Sequence, residues 1–143
     1  RTAILMRKIT LYGVKVYGAV HIRNRSRQNN TQIYNKLRLE MEPDMYSLLK
    51  NELDDEYCRL QQLPGYIPNR QSYMPVQKLT NGNYRVAVRS GQNDKKYTDA
   101  EAEEMERAAA INCTIRLDAY ATNCNQGVRC RLVDYKVVEK RET

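Results

Sequence analysis

INCTIRLDAYATNCNQGVRCRLVDYKVV, residues 111–138, alternates apolar and polar side chains on both sides of a short turn. Ile111, Cys113, Ile115, Leu117 and Ala119 fall in one phase, and Arg116, Asp118 and Tyr120 in the other. A period of two marks a half-buried strand. After the turn NCNQG, Val128, Cys130 and Leu132 resume the apolar phase, while Val133, Tyr135 and Val137 lie in the opposite one. A β-bulge near Leu132–Asp134 accounts for the switch, because one extra residue inverts every side chain beyond it. Two adjacent strands are therefore expected at this end of the chain.

Upstream, YTDAEAEEMERAAA predicts a helix over 98–110. Thr98 and Glu101 have capping-box spacing, Ala, Glu and Met favour helix, and acids near its start suit the helix dipole. VQKLTNGNYRVAVRS, residues 76–90, reads as a hairpin with Asn81–Gly82 at its turn. Its second arm sets Tyr84, Val86 and Val88 against Arg85, Ala87 and Arg89. Residues 42–63 place Met45, Leu48, Leu49, Leu53, Tyr57 and Leu60 near one helical face. Asp44 is the expected N-cap of that helix, and Pro64–Gly65 stops it.

Two strand signals precede it. KITLYGVKVYGAVHI puts Tyr12, Val14, Val16, Val20 and Ile22 on one side, with Lys15, Tyr17 and His21 on the other. IYNKLRLEM puts Ile33, Leu37, Leu39 and Met41 against Tyr34, Lys36, Arg38 and Glu40. The long loops 23–32 and 63–75 are the segments expected to move or to close on a ligand.

The chain has 143 residues, a length that suits one domain. Met6 reads as a natural start, with residues 1–7 as a tail. With the 43–75 helix and loop and the short 76–80 arm taken as insertions, the order becomes β-β-β-α-β-β. That is the order of the OB-fold, a mainly β, five-stranded Greek-key barrel with a helix between strands three and four. An α+β sandwich with both helices on one sheet face is the competing architecture.

The run INCTIRLDAYATNCNQGVRCRLVDYKVVEK resembles the end of phage-encoded OB-fold single-stranded DNA-binding proteins. There a strand ending in an aromatic is followed by a short Asn/Gly turn, and a strand with a hydrophobic run closes the barrel. The resemblance is clearest over residues 111–138 and extends to 8–41; residues 44–75 have no counterpart in it. It implies single-stranded DNA binding in replication or recombination. Many such proteins carry an acidic C-terminal tail that recruits partners, whereas this sequence ends VVEKRET.

Charge points the same way. Net charge is +7, and it is segregated. Residues 1–39 hold nine Lys/Arg and no acid, whereas 40–64 hold seven acids and two bases. Residues 65–97 hold six bases and one acid, and 98–106 hold five acids and no base. The acidic blocks coincide with the predicted helices and the basic ones with the strands. All eleven aromatics are Tyr, a side chain with an apolar face and a polar tip.

Single-strand binders combine a cationic groove with aromatic faces on which bases stack. Lys15, Tyr17, Tyr34, Lys36, Arg38, Arg85, Arg89, Arg116 and Tyr120 carry both features opposite the expected core. Arg23, Arg25 and Arg27 of the RNRSRQNN loop would join them at the rim, as would Lys95, Lys96 and Tyr97 of GQNDKKY. Tyr12, Tyr84 and Tyr135 share phase with aliphatic residues and are read as core.

Enzyme classes fail on inventory: there is no Gly-rich phosphate loop, no G-x-S-x-G elbow and no paired-His metal site. Cys58, Cys113, Cys124 and Cys130 lack zinc spacing and read as buried or free thiols. Asp54, Asp55 and Glu56 read as a solvated helix face, because consecutive helical residues point in different directions.

The expectation is a non-catalytic protein without metal or cofactor, acting on single-stranded nucleic acid, DNA favoured over RNA. No membrane is involved, and the expected location is intracellular, in a bacterial host cytoplasm. Homo-oligomerisation and contacts with replication or recombination proteins stay open. So do two alternatives: an RNA-binding OB protein, and a virion or assembly protein whose basic face meets a protein partner.

Overall fold

The alternating runs form strands and the acidic runs form helices. The computed structural model describes residues 7–25, 31–90 and 98–142, without the side chains of residues 7, 20–25, 31–35 and 99. In chain order the elements are β1 (Arg7–Arg25), β2 (Thr31–Met41), α1 (Pro43–Leu60), β3 (Val76–Lys78), β4 (Tyr84–Arg89), α2 (Asp99–Glu106), β5 (Ala108–Ala121) and β6 (Gln126–Lys140).

Strand β1 pairs antiparallel with β2 on one side and β5 on the other. Strand β2 continues to β4, β5 pairs with β6, and β4 meets β6 in parallel, which closes a five-stranded ring. This is the OB-type barrel, with α2 between its third and fourth strands. Strand β3 adds to β4 from outside the ring.

One long strand can serve two neighbours because it bends. The β1 register shifts between Leu11 and Val14 and again between Val16 and Gly18. Gly13, at φ 65°, takes the left-handed conformation at the first bulge, and its N–H donates to Asn112 Oδ1 at 2.9 Å. That bulge corrects the expected placement of Tyr12. Leu11 is buried instead, and Tyr12 is 70% exposed.

The bulge in β6 falls where the sequence puts it. Thr114 faces Asp134 but Ile115 faces Leu132, so Val133 is the extra residue. The interior is then filled by Val14, Leu37, Leu39, Val86, Ile111, Ile115, Val128 and Leu132, with Leu49, Leu53 and Leu60 of α1 and Met105 of α2. Leu48 lies outside that face and is exposed.

Three boundaries differ from expectation. Helix α2 has its Thr98–Glu101 capping box but ends at Glu106. Ala108 and Ala110 pair with Lys140 and Glu139, so strand pairing overrides alanine's helix preference. Glu42, not Asp44, is the N-cap of α1, because Pro43 occupies the first helical position. The 23–32 loop shortens as well, with Arg25 still paired to Thr31.

Glu56 corrects the reading of the acid cluster. It is 2% exposed, and its Oε2 accepts the Ala119 N–H at 3.0 Å, just past the end of the β1–β5 ladder at Leu117. Arg59 Nε donates to its Oε1 at 3.0 Å. Glu56→Ala leaves a buried N–H without its acceptor, which costs about 1–3 kcal/mol. The expected result is a lowered thermal midpoint that Glu56→Gln largely restores; equal loss in both variants would mean the charge, not the acceptor, matters.

The four cysteines are free, Cys113 and Cys130 in the core and Cys58 and Cys124 at the surface. Burial pushes the thiols of Cys113 and Cys130 up to about 12. Among the described residues, no helix is long and apolar enough to cross a membrane.

Candidate nucleic-acid interface

Strand alternation buries one side of each barrel strand and turns the other outward. On β2 the outward residues include Lys36 and Arg38, and on β4 Arg85, Ala87 and Arg89. Lys36 faces Arg89 in register, and Arg89 faces Arg131 of β6. Arg131 faces Arg116 of β5, which in turn faces Lys8 of β1. One cation from each strand thus forms a row around the barrel. Like charges directly opposite one another destabilise a sheet, and a bound polyanion reverses that cost. Asp118, 3.8 Å from Arg131 Nε, relieves the row at one point.

A groove of about 390 Å³ opens beside this row. Lys36, Arg38 and Arg89 line one wall, and Tyr120, Asn125 and Arg129 of the β5–β6 hairpin line the other. Tyr73 enters from the 61–75 segment, and none of the described lining residues is acidic.

The tyrosines are held rather than loose. The Arg129 guanidinium lies 3.7 Å over the Tyr120 ring, and that of Arg85 lies 3.7 Å over Tyr17. Each pair is a cation–π contact that fixes a charge beside an aromatic. One face of each ring is therefore already covered by a guanidinium.

The structure brings together Lys36, Arg38, Arg89 and Tyr120 in the groove; Arg85 stands beside it on β4, with Tyr17 under its guanidinium. It does not bring in Lys15, which faces Glu40 and lines a separate recess with Glu42 and Asp44. Arg116 sits further around the barrel on β5. Arg27, Lys95, Lys96 and Tyr97 lie outside the described residues, as do the side chains of Arg23, Arg25 and Tyr34.

Sequence reading missed Arg129 and Arg131, although the phase of Val128, Cys130 and Leu132 turns both outward. Tyr84 and Tyr135, read as core, are half-buried: Tyr135 packs against the core's edge, and Tyr84 lies outside it. Tyr84 stacks on Tyr46 with centroids 3.9 Å apart, and the Tyr135 hydroxyl donates to the Glu101 carbonyl at 2.8 Å.

No protein-family model matches the chain, and no curated protein matches it in sequence. Solved structures do match. The single-stranded DNA-binding protein of bacteriophage Enc34 has a TM-score of 0.65 at 12% identity, covering 94% of this chain and 82% of that one. The same phage protein in complex with single-stranded DNA has a TM-score of 0.59 at 11% identity, covering 95% and 86%. The single-stranded DNA-binding protein gp2.5 of bacteriophage T7 has 0.60 at 11% identity, covering 97% and 90%. The chain shares the fold of these phage proteins. The likeness spans 94–97% of the chain.

Proposed function

We propose that this protein binds single-stranded DNA without catalysis and with little sequence preference, in phage-type replication or recombination. The observation that carries the reading is the cationic groove on the β2–β4 face of an OB-type barrel, free of acids among its described lining residues and walled by tyrosines. Phosphates engage Lys36, Arg38, Arg89 and Arg129, and bases stack on the ring faces that the guanidiniums leave open. The fold likeness to phage proteins that bind single-stranded DNA, one of them solved with it, supports the same reading.

Fluorescence anisotropy with labelled single-stranded DNA, duplex DNA and RNA of equal length is the direct test. Tightest binding to single-stranded DNA is expected. Preference for RNA would reassign the groove, because contacts to the 2′-hydroxyl would then decide. Weak or equal binding to all three would turn the basic face over to a protein partner, as in a virion component.

Two variants separate the roles. Arg38→Ala should flatten the logarithmic salt dependence by about 0.7, the single-strand contribution of one phosphate contact. Tyr120→Ala should weaken binding by about 1–3 kcal/mol at a nearly unchanged slope. If both variants changed slope and affinity alike, the division between phosphate and base contacts would be wrong.

A further inference from the structure

Tyr73 does not belong to the barrel. It sits at the end of the inserted segment, and its backbone is tied to the β5–β6 hairpin at several points. The Tyr73 N–H donates to the Gln126 carbonyl at 2.9 Å, and the Val128 N–H donates to the Tyr73 carbonyl at 3.2 Å. That carbonyl also accepts the Tyr57 hydroxyl of α1 at 2.7 Å.

Behind it, the buried Gln126 side chain donates to the carbonyls of Ile67 and Arg70 at 3.0 and 2.9 Å and accepts the Ile67 N–H at 2.9 Å. Arg70 Nη2 donates to the Thr122 carbonyl at 2.9 Å. A segment expected from sequence to move is held in place, yet the tyrosine it presents is 46% exposed.

Its position is what matters. Tyr73 lines the 390 Å³ groove on one side. On the other it lines a second recess of about 250 Å³, with Met74, Pro75, Gln77 and Arg85. Arg38 and Ala87 border both. An exposed aromatic on a fixed backbone loses little freedom when a base stacks on it, so its stacking energy is nearly all available to binding.

We infer that Tyr73 is a base-stacking wall dividing this face into two base-binding recesses, with Arg38 placed to hold the phosphate between them. The inserted helix and loop then act as its mount. The inference rests on the proposed single-strand binding and adds to it a residue outside the barrel, a second subsite beyond the groove and a role for the insertion.

The test compares wild type, Tyr73→Ala and Tyr73→Phe on a thymine oligonucleotide and on an abasic strand of equal length. Both strands carry the same phosphates, and only one carries bases. Tyr73→Ala should bind the thymine strand roughly 5- to 150-fold more weakly and the abasic strand within about twofold of wild type. Tyr73→Phe should match wild type on both, since the ring and not the hydroxyl is used.

Equal loss on the two strands would overturn the inference, because disturbed folding or electrostatics weakens both alike. No loss on the thymine strand would also overturn it while leaving single-strand binding by the barrel intact. Wild type binding neither strand would remove the proposed function itself, and this inference with it.

Discussion

Raising salt from about 50 to about 200 mM should weaken single-stranded DNA binding roughly 50- to 130-fold. Among the described residues the groove presents four cations, Lys36, Arg38, Arg89 and Arg129, and Arg85 borders the adjoining recess. Each phosphate contact releases condensed counterions and contributes about −0.7 to the slope of log affinity against log salt on a single strand. Four to five contacts give a slope of roughly −2.8 to −3.5.

The formal charge of +7 does not set that slope, because cations remote from the strand release nothing from it. Lys15 illustrates the point: it faces Glu40, so Lys15→Ala should leave the slope where it was. Anisotropy titrations across the salt series measure this directly. A slope shallower than about −1 would mean that the groove cations do not meet phosphates.

Gly127→Ala should be the most damaging glycine-to-alanine change among the described residues. Gly127 has φ 154°, where side chains rarely sit. A Cβ there would lie 2.6 Å from the Tyr73 carbonyl oxygen and 2.7 Å from its nitrogen. The obstacle is backbone, and that backbone is fixed by the hydrogen bonds to Gln126 and Val128. Neither side can give way without breaking the bridge between Tyr73 and Gly127.

Backbone strain of about 1–3 kcal/mol adds to overpacking of about 1–3 kcal/mol. At this chain length each kcal/mol moves the melting midpoint by about 3 °C, so a fall of roughly 6–18 °C is expected. Gly82→Ala is the matched control. It also adds a methyl at positive φ, 91°, but meets nothing within 4 Å. A melting curve for Gly127→Ala no lower than that of Gly82→Ala would mean the close approach to Tyr73 is not a constraint in solution.

These two predictions divide along the line between what the sequence shows and what it hides. The cations of the groove sit on strands whose alternation is visible in the residues themselves. Lys36, Arg38, Arg85 and Arg89 were assigned to the outward face because Leu37, Leu39, Val86 and Val88 alternate with them, and the buried set matches. The bulge at Val133 was equally legible, because a change of phase within an apolar run has few other causes. The capping box at Thr98 is a local interaction, and local interactions leave local signatures.

Tyr12 was misplaced for the opposite reason. Its exposure depends on Gly13 taking a left-handed conformation that lets β1 turn between β5 and β2. A glycine in a strand-like run carries that possibility without announcing it. Glu56 was read as solvated because the N–H it accepts belongs to Ala119, sixty-three residues away and beyond the end of a neighbouring ladder. The Ala108–Ala110 run was read as helix because alanine favours helix when nothing else decides, and here the pairing with β6 decides.

The strand and helix order, most core and outward phases and the segregation of charge, and with them the OB-type barrel and its cationic face, are legible in the residues alone. All of these follow from periodicity and composition, which act between near neighbours in the chain. The shape of the groove emerges only on folding: which cations converge on it, that Arg129 and Arg85 cover a face of Tyr120 and Tyr17, and that the 61–75 segment is pinned with Tyr73 in the opening. Those depend on closing β4 against β6 and docking an insertion on a distant hairpin. Such long-range contacts are made by packing and buried hydrogen bonds between segments that no sequence period connects.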